Sequence, residues 1–195
     1  MASIADFTVR VARDRLLAKA LYEPASEFDL ANLRERVTDM PLGLLETHAL
    51  HDGCDRPGGL LAFLSPIRDR GTVVPWLGSA RWLSIESGNR ARERALEDGW
   101  PLADTDVVFA VGKADHTWLV ADARQQIRAL YWRVITTPRG SQRVRCQPTA
   151  NQSWPQLIEA FCKSVGRFEL QTQMQGEAED ERTLEFVTST RGHGA

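Results

Sequence analysis

The chain has 195 residues, enough to bury a sizeable core within one domain. An apolar fraction of 43% and a charged fraction of 26% are ordinary for a globular protein, and a net charge of −2 gives no electrostatic case for nucleic-acid binding. No apolar run approaches the length of a membrane span, and an N-terminus with Asp6 and no basic start before an apolar core does not read as a signal peptide. Cys54, Cys146 and Cys162 are odd in number and far apart, which points to free thiols in a reducing cytoplasm.

Residues 3 to 22 read as a helix. Ile4, Phe7 and Val11 share one face, Leu17, Ala20 and Leu21 resume it, and Arg10, Arg13, Arg15 and Lys19 occupy much of the rest as a solvated face, with contact to an acidic partner as the minority reading. Pro24 to Ser26 break the chain. Asp29 is placed to cap a second helix through Val37, with Leu30, Leu33 and Val37 as its buried edge. A third, short helix starts at Pro41, carries Leu42, Leu45 and Ala49, and ends near Asp52-Gly53; Cys54 to Gly59 form a loop. Leu60 to Leu64 and Val73 to Leu77 are short apolar runs around a polar turn at Arg68 to Gly71. They read as edge or irregular strands because of Pro66 and Pro75. Arg81 to Glu86 alternates as a strand would. Asn89 to Asp98 reads as a short exposed helix or a long loop, ended by Gly99-Trp100-Pro101.

The run from Asp106 to Val111 is too short for a helix and rich in β-branched residues, so it reads as a buried strand. Gly112 to Asp115 is turn chemistry, Thr117 to Ala121 a second strand, Asp122 to Gln126 a second turn, and Ile127 to Ile135 a third strand. Connections this short favour antiparallel neighbours. Thr136 to Ser141 form a turn or loop, and Arg143 to Gln147 one more strand. Ser153 then stands three residues before Gln156, with Pro155 in the first turn of a closing helix. Trp154, Leu157, Ile158, Phe161 and Val165 make one apolar stripe along it, and Gly166 stops it. Phe168 to Gln173 read as a terminal strand. From Gly176 the chain is acidic, then small and polar, and is expected to be a flexible tail over 176–195.

The fold expected from these elements is α+β. A central antiparallel sheet on 106–111, 117–121 and 127–135 is flanked by N-terminal helices and one C-terminal closing helix, within a domain spanning 1–175. Phe109, Leu119, Leu157, Ile158 and Phe161 are its expected common core. The order of apolar strand, turn, Trp-Leu-Val-Ala-Asp strand, turn and Tyr-Trp strand, followed by a capped helix with a Trp/Leu/Phe stripe, resembles the C-terminal half of the SUKH superfamily. That group includes fungal cell-wall-assembly regulators and many bacterial immunity proteins of polymorphic toxin systems. Upstream, Asp39-Met40-Pro41-Leu42-Gly43-Leu44-Leu45 and then His51-Asp52-Gly53 are similar to the family's Leu-Pro, helix, Asn/Asp-Gly pattern. Met40 stands where Leu is usual, and Arg56 to Arg81 departs from the pattern.

Signatures of chemistry are sparse. His48, His51 and Cys54 recur every third residue, as metal ligands on a helix would, but Gly53 intervenes and no metal site is expected. Asp115-His116 lies in a turn with no activated nucleophile nearby in sequence. Gly112-Lys113 lacks the rest of a Walker loop, and Gly-x-Ser-x-Gly does not occur. No cofactor and no catalytic residue are implied. The resemblance implies instead an immunity protein that neutralises a cognate toxin by covering it. Many such toxins are nucleases with basic clefts, for which Glu93, Glu97, Asp98, Asp104 and Asp106 offer a complementary patch. Trp118, Trp132 and Trp154 read as core. Trp76, Trp82 and Trp100 lie near breaks, and Trp100 is the candidate anchor, with local packing of the ring as its commoner alternative. Residues 123–147 complicate this picture, because six arginines and no carboxylate there suit an acidic partner. An intracellular regulator or scaffold of the same fold is the second reading, and a small hydrolase using Asp115, His116 or His51 the third.

Overall fold

The computed structural model describes residues 4–37, 43–55, 58–74, 80–112 and 117–164. The expected terminal strand at 168–173, the tail at 176–195, Asp115-His116 and Trp76 lie outside the described residues.

Six α-helices and eight strands form an α+β fold. In chain order they are α1 (Ile4–Arg13), α2 (Arg15–Ala20), α3 (Glu27–Arg34), α4 (Leu44–Leu50), β1 (Arg68–Asp69), β2 (Thr72–Val73), β3 (Arg81–Trp82), α5 (Ile85–Glu97), β4 (Val107–Val111), β5 (Trp118–Ala121), β6 (Gln126–Thr137), β7 (Gly140–Cys146), β8 (Thr149–Ser153) and α6 (Trp154–Lys163). The main sheet runs β3-β4-β5-β6-β7, each neighbour antiparallel, with β8 also on β6. The three central strands therefore pair as expected.

Several boundaries differ from the sequence reading. The first helix is two, because the Asp14 carboxylate accepts from Leu17 N and caps α2. Ser26, rather than Asp29, caps α3, and Asp29 sits inside the first turn. Leu60–Phe63 coil into a 3₁₀ turn instead of a strand. The helix expected from Asn89 starts earlier, at Ile85, where the Ser84 hydroxyl accepts from Ser87 N. β8 follows β7 after Gln147 and Pro148, a break that hid it in the sequence.

The sheet has helices on both faces. On one, Phe109, Leu119, Ala121, Ile127 and Tyr131 meet Phe7, Leu44, Leu157, Ile158 and Phe161. The five core residues named from sequence are thus buried in one cluster. Trp154 is central to it: its ring lies 4.9 Å from Phe109 and 5.9 Å from Trp82, and its indole N–H donates to Thr47 Oγ1. On the other face Val108, Trp118, Val120 and Leu130 meet Ala91, Ala95 and Trp100 of α5 and its exit. A bulge explains how β4 serves both faces. Val108 pairs with Val120 and Ala110 with Leu119, so Phe109 is the extra residue, and Phe109 and Ala110 both turn to the larger core. Strict alternation would have sent Ala110 to the α5 side.

Gln125, at φ 58°, ties the β5–β6 turn to two helices. Its side-chain carbonyl accepts from Leu44 N at the start of α4, and its backbone carbonyl accepts from Trp154 N at the start of α6. The Gln156 side-chain carbonyl accepts from Ser153 N, as the expected capping signature required.

Candidate functional site

The exposed feature of this fold is an arm. β6 has twelve residues, but β5 pairs only with its Ile127–Leu130 portion. From Tyr131 onward, β6 continues with β7 as a two-stranded ribbon, in register from Tyr131–Cys146 to Thr137–Gly140. Pro138-Arg139 make the two-residue turn at its tip, and Gly140, at φ 121°, supplies the conformation that an L side chain resists. Among the described residues no further strand pairs with the outer edge of β7. The arm carries Arg133, Arg139, Arg143 and Arg145 and no carboxylate. The chain has only three lysines, Lys19, Lys113 and Lys163, so its cationic surface is mostly arginine, suited to bidentate contact with carboxylates.

One face of the arm displays Trp132 and Val134 beside Arg145 and Arg143. Both guanidiniums lie over the Trp132 ring, at 5.1 Å for Arg143 and 5.0 Å for Arg145, and Val134 is 62% exposed. Arg145 also donates to the Asp98 carbonyl at 3.3 Å. A side chain at Gly99 would collide with that guanidinium, meeting its Nη2 at 2.6 Å.

The opposite face packs against the β1–β2 hairpin. The Tyr131 hydroxyl donates to Asp69 Oδ2 at 2.8 Å, and Arg133 reaches the same carboxylate at 3.3 Å. The bond from Tyr131 holds the Asp69 carboxyl below its usual range, helped by Cys146 and Arg133 against the opposing effect of burial. Burial, then the bond to Asp69, pushes the Tyr131 phenol far up, and burial also raises the Cys146 thiol. At neutral pH this leaves a carboxylate that accepts, a phenol that donates and a protonated thiol. Beside it, between hairpin and arm, lie two adjoining cavities of about 270 and 340 Å³, both lined by Arg70, Arg133 and Ile135.

The residues expected to bind a partner separate into two groups. Glu93 and Glu97 are exposed one turn apart on α5, Asp98 is its C-terminal cap, and Asp104 is fully exposed and pairs with Arg92 at 3.5 Å. Arg90, Arg92 and Arg94 interleave with them, so the stretch is a mixed surface rather than an acidic patch. The other two are not surface positions. Trp100 is 1% exposed, its ring 6.2 Å from Trp118 and 5.5 Å from Trp132, so it is core and not an exposed anchor. Asp106 is 2% exposed, ion-paired with Arg128 and accepting from Ala103 N to close a turn.

The remaining candidates point to separate partners. His48 Nδ1 meets Asp52 Oδ1 at 2.7 Å, His51 Nδ1 meets the Tyr22 carbonyl at 3.1 Å, and Cys54 is fully buried. Among the described residues no three His, Cys, Asp or Glu side chains gather as metal ligands would. No described helix is long and apolar enough to cross a membrane. Sequence reasoning missed the Asp69–Tyr131–Arg133 cluster, whose only local trace was the polar turn at Arg68 to Gly71. No family model, curated protein or solved structure matches the chain.

Proposed function

We propose that the protein is a non-catalytic binding module that grips an acidic protein partner with its β-arm. The observation that carries this reading is the arm itself: a ribbon standing past the end of β5, with arginines on both faces and at the tip and no carboxylate of its own, Asp69 of the hairpin pairing with Arg133 alone. Electrostatic attraction of this kind chiefly raises association rates and selects partners by charge. Stacked Arg and Trp side chains beside an exposed valine are the residue types that dominate interface energetics.

The resemblance to the SUKH superfamily narrows the reading. It would make the protein a cytoplasmic immunity protein and the partner a toxin. The charge of the arm then favours a toxin engaged through an acidic surface over one engaged through a basic cleft. The regulatory or scaffold reading shares the same surface and differs only in partner.

Co-purification from the native cell should identify the partner, and binding kinetics should test the arm. Arg139 and Arg143 make no ion pair among the described residues, so Arg139→Glu with Arg143→Glu leaves the fold intact. Association should slow on the order of tenfold at low salt, with the difference shrinking as salt rises. Unchanged association overturns the arm as the interface. Slower association on Glu93→Lys with Glu97→Lys instead moves it to α5 and a basic partner. Turnover of a substrate, abolished by replacing His51 or His116, overturns the binding reading altogether.

A further inference from the structure

We propose that the cleft between the β1–β2 hairpin and the arm receives carboxylate side chains of one extended acidic peptide segment, with Arg70 as the reading residue and Arg133, already paired with Asp69, beside it. This deepens the proposed function and rests on it.

Three observations converge on the cleft. First, Arg70 occupies a position that its own backbone resists. The hairpin pairs Asp69 with Thr72, leaving Arg70 and Gly71 as a two-residue turn with φ of 49° and 82°. Two positive φ values in a row favour Asn-Gly, and an arginine in the first place is strained. Arg70 lines both cavities. Second, that guanidinium acts on Asp69 only through its charge, without a direct contact. Among the described residues it makes no hydrogen bond and no ion pair, and Asp69, the carboxylate that lines the cleft, is already taken by Tyr131 and Arg133. The cleft therefore keeps positive charge to spare. Third, its lining mixes apolar Ile135, Val144 and Pro148 with the charged residues. A carboxylate on a short aliphatic stem matches that combination, the stem against the apolar side chains and the oxygens at an arginine.

The same features favour a peptide over a nucleic acid. Base recognition on a cationic surface uses exposed rings for stacking. Trp132 lies on the far face of the arm, under Arg143 and Arg145, and Tyr131 on the near side is buried. A net charge of −2 also repels a long polyanion at a distance, while a short acidic segment needs only the local field. Along an extended peptide, every second side chain points the same way, about 7 Å apart, so alternate carboxylates can face one surface.

The test uses the full chain and a fluorescent peptide of alternating glutamate and valine, read by anisotropy. Arg70→Asn is the decisive variant, because it removes the charge and gives the turn its preferred residue, so the fold gains rather than loses. The expected result is at least about tenfold weaker binding with an equal or higher thermal midpoint. Arg143→Gln, on the other face, should weaken binding far less. Peptide binding that ignores Arg70→Asn but falls with Arg143→Gln overturns the cleft while leaving the arm as interface. No binding of the acidic peptide by the wild type, or equal binding of its lysine counterpart, overturns both. A single-stranded oligonucleotide that binds more tightly than the peptide, or free acetate that competes with it at equal concentration, overturns the choice of occupant.

Discussion

Replacing Gly88 by alanine should destabilise the protein, against the usual sign for a glycine inside a helix. Gly88 lies in the second turn of α5, where alanine normally gains about 1 kcal/mol in helix propensity. Here a β-carbon would meet the Val108 carbonyl oxygen at 2.4 Å. That atom is sheet backbone, flanked by the bulge in β4, and cannot swing aside as a side chain would. Relief requires α5 to lift from the sheet, which loosens Ala91 and Ala95 against Val108 and Trp118. Overpacking of a tight contact costs about 1–3 kcal/mol, enough to exceed the propensity gain. The expected net loss is up to about 2 kcal/mol, or up to roughly 8 °C in the thermal midpoint for a chain of this size. Urea denaturation followed by tryptophan fluorescence would measure it, with Glu93→Ala, exposed on the same helix, as a near-neutral control. A Gly88→Ala protein more stable than wild type would show that α5 does not sit this close, and would reopen the burial of Trp100 along with it.

Phe161→Ala should cost about 3–5 kcal/mol, because the ring is fully buried and packs against Phe7 at 5.7 Å and Phe63 at 5.1 Å; an unchanged denaturation midpoint would mean that α6 does not dock on the sheet. Asp69→Asn tests the cluster under the arm by pH. A carboxyl whose pKa is lowered in the folded state adds stability above its unfolded pKa, near 4, and loses that contribution as pH falls through the lowered value. The variant should therefore be less stable than wild type at neutral pH, with the gap closing in acid, and a gap independent of pH would place its cause elsewhere. The three thiols should resist iodoacetamide at neutral pH in the native protein and react fully after denaturation: Cys54 is buried, burial raises Cys146, and burial pushes Cys162 up to about 11. Rapid native labelling of Cys146 would show that the Asp69–Tyr131 contact is open in solution.

The central strands and the closing helix were legible because their signals are local. Val107–Val111, Trp118–Ala121 and the Tyr-Trp run are dense in strand formers between turn residues, and Ser153, Pro155 and Gln156 announce a helix start. The α5 boundary failed for a physical reason. The helix or loop expected from sequence begins at Asn89, just past Gly88, the glycine that lets α5 approach Val108. Leu60–Phe63 were read as a strand from apolarity alone, and a four-residue apolar run does not distinguish a buried strand from a buried 3₁₀ turn. Trp100 takes the commoner of its two readings, packing, rather than the anchor, and both rings that bury it, Trp118 and Trp132, arrive from strands distant in sequence.

The candidate site was half legible. Six arginines without a carboxylate over 123–147 stood out, but only as a complication, since a net charge of −2 made the chain look electrostatically neutral. The average conceals a division. With that segment positive, the remainder must be more negative than the whole, and the fold places part of the positive segment on a projecting ribbon instead of folding it back onto acidic neighbours. Where an arginine of the segment does turn inward, it finds a carboxylate from far along the chain: Arg128 meets Asp106 and Arg133 meets Asp69. Those partners lie 22 and 64 residues away, so no sequence window could have shown which charges are satisfied. Arg70 shows the reverse, a charge in an ordinary-looking polar turn that lines the hollow beside the arm and makes no hydrogen bond or ion pair among the described residues. What the fold adds to the sequence is therefore the sorting of arginines into those that hold the domain and those left for something else to hold.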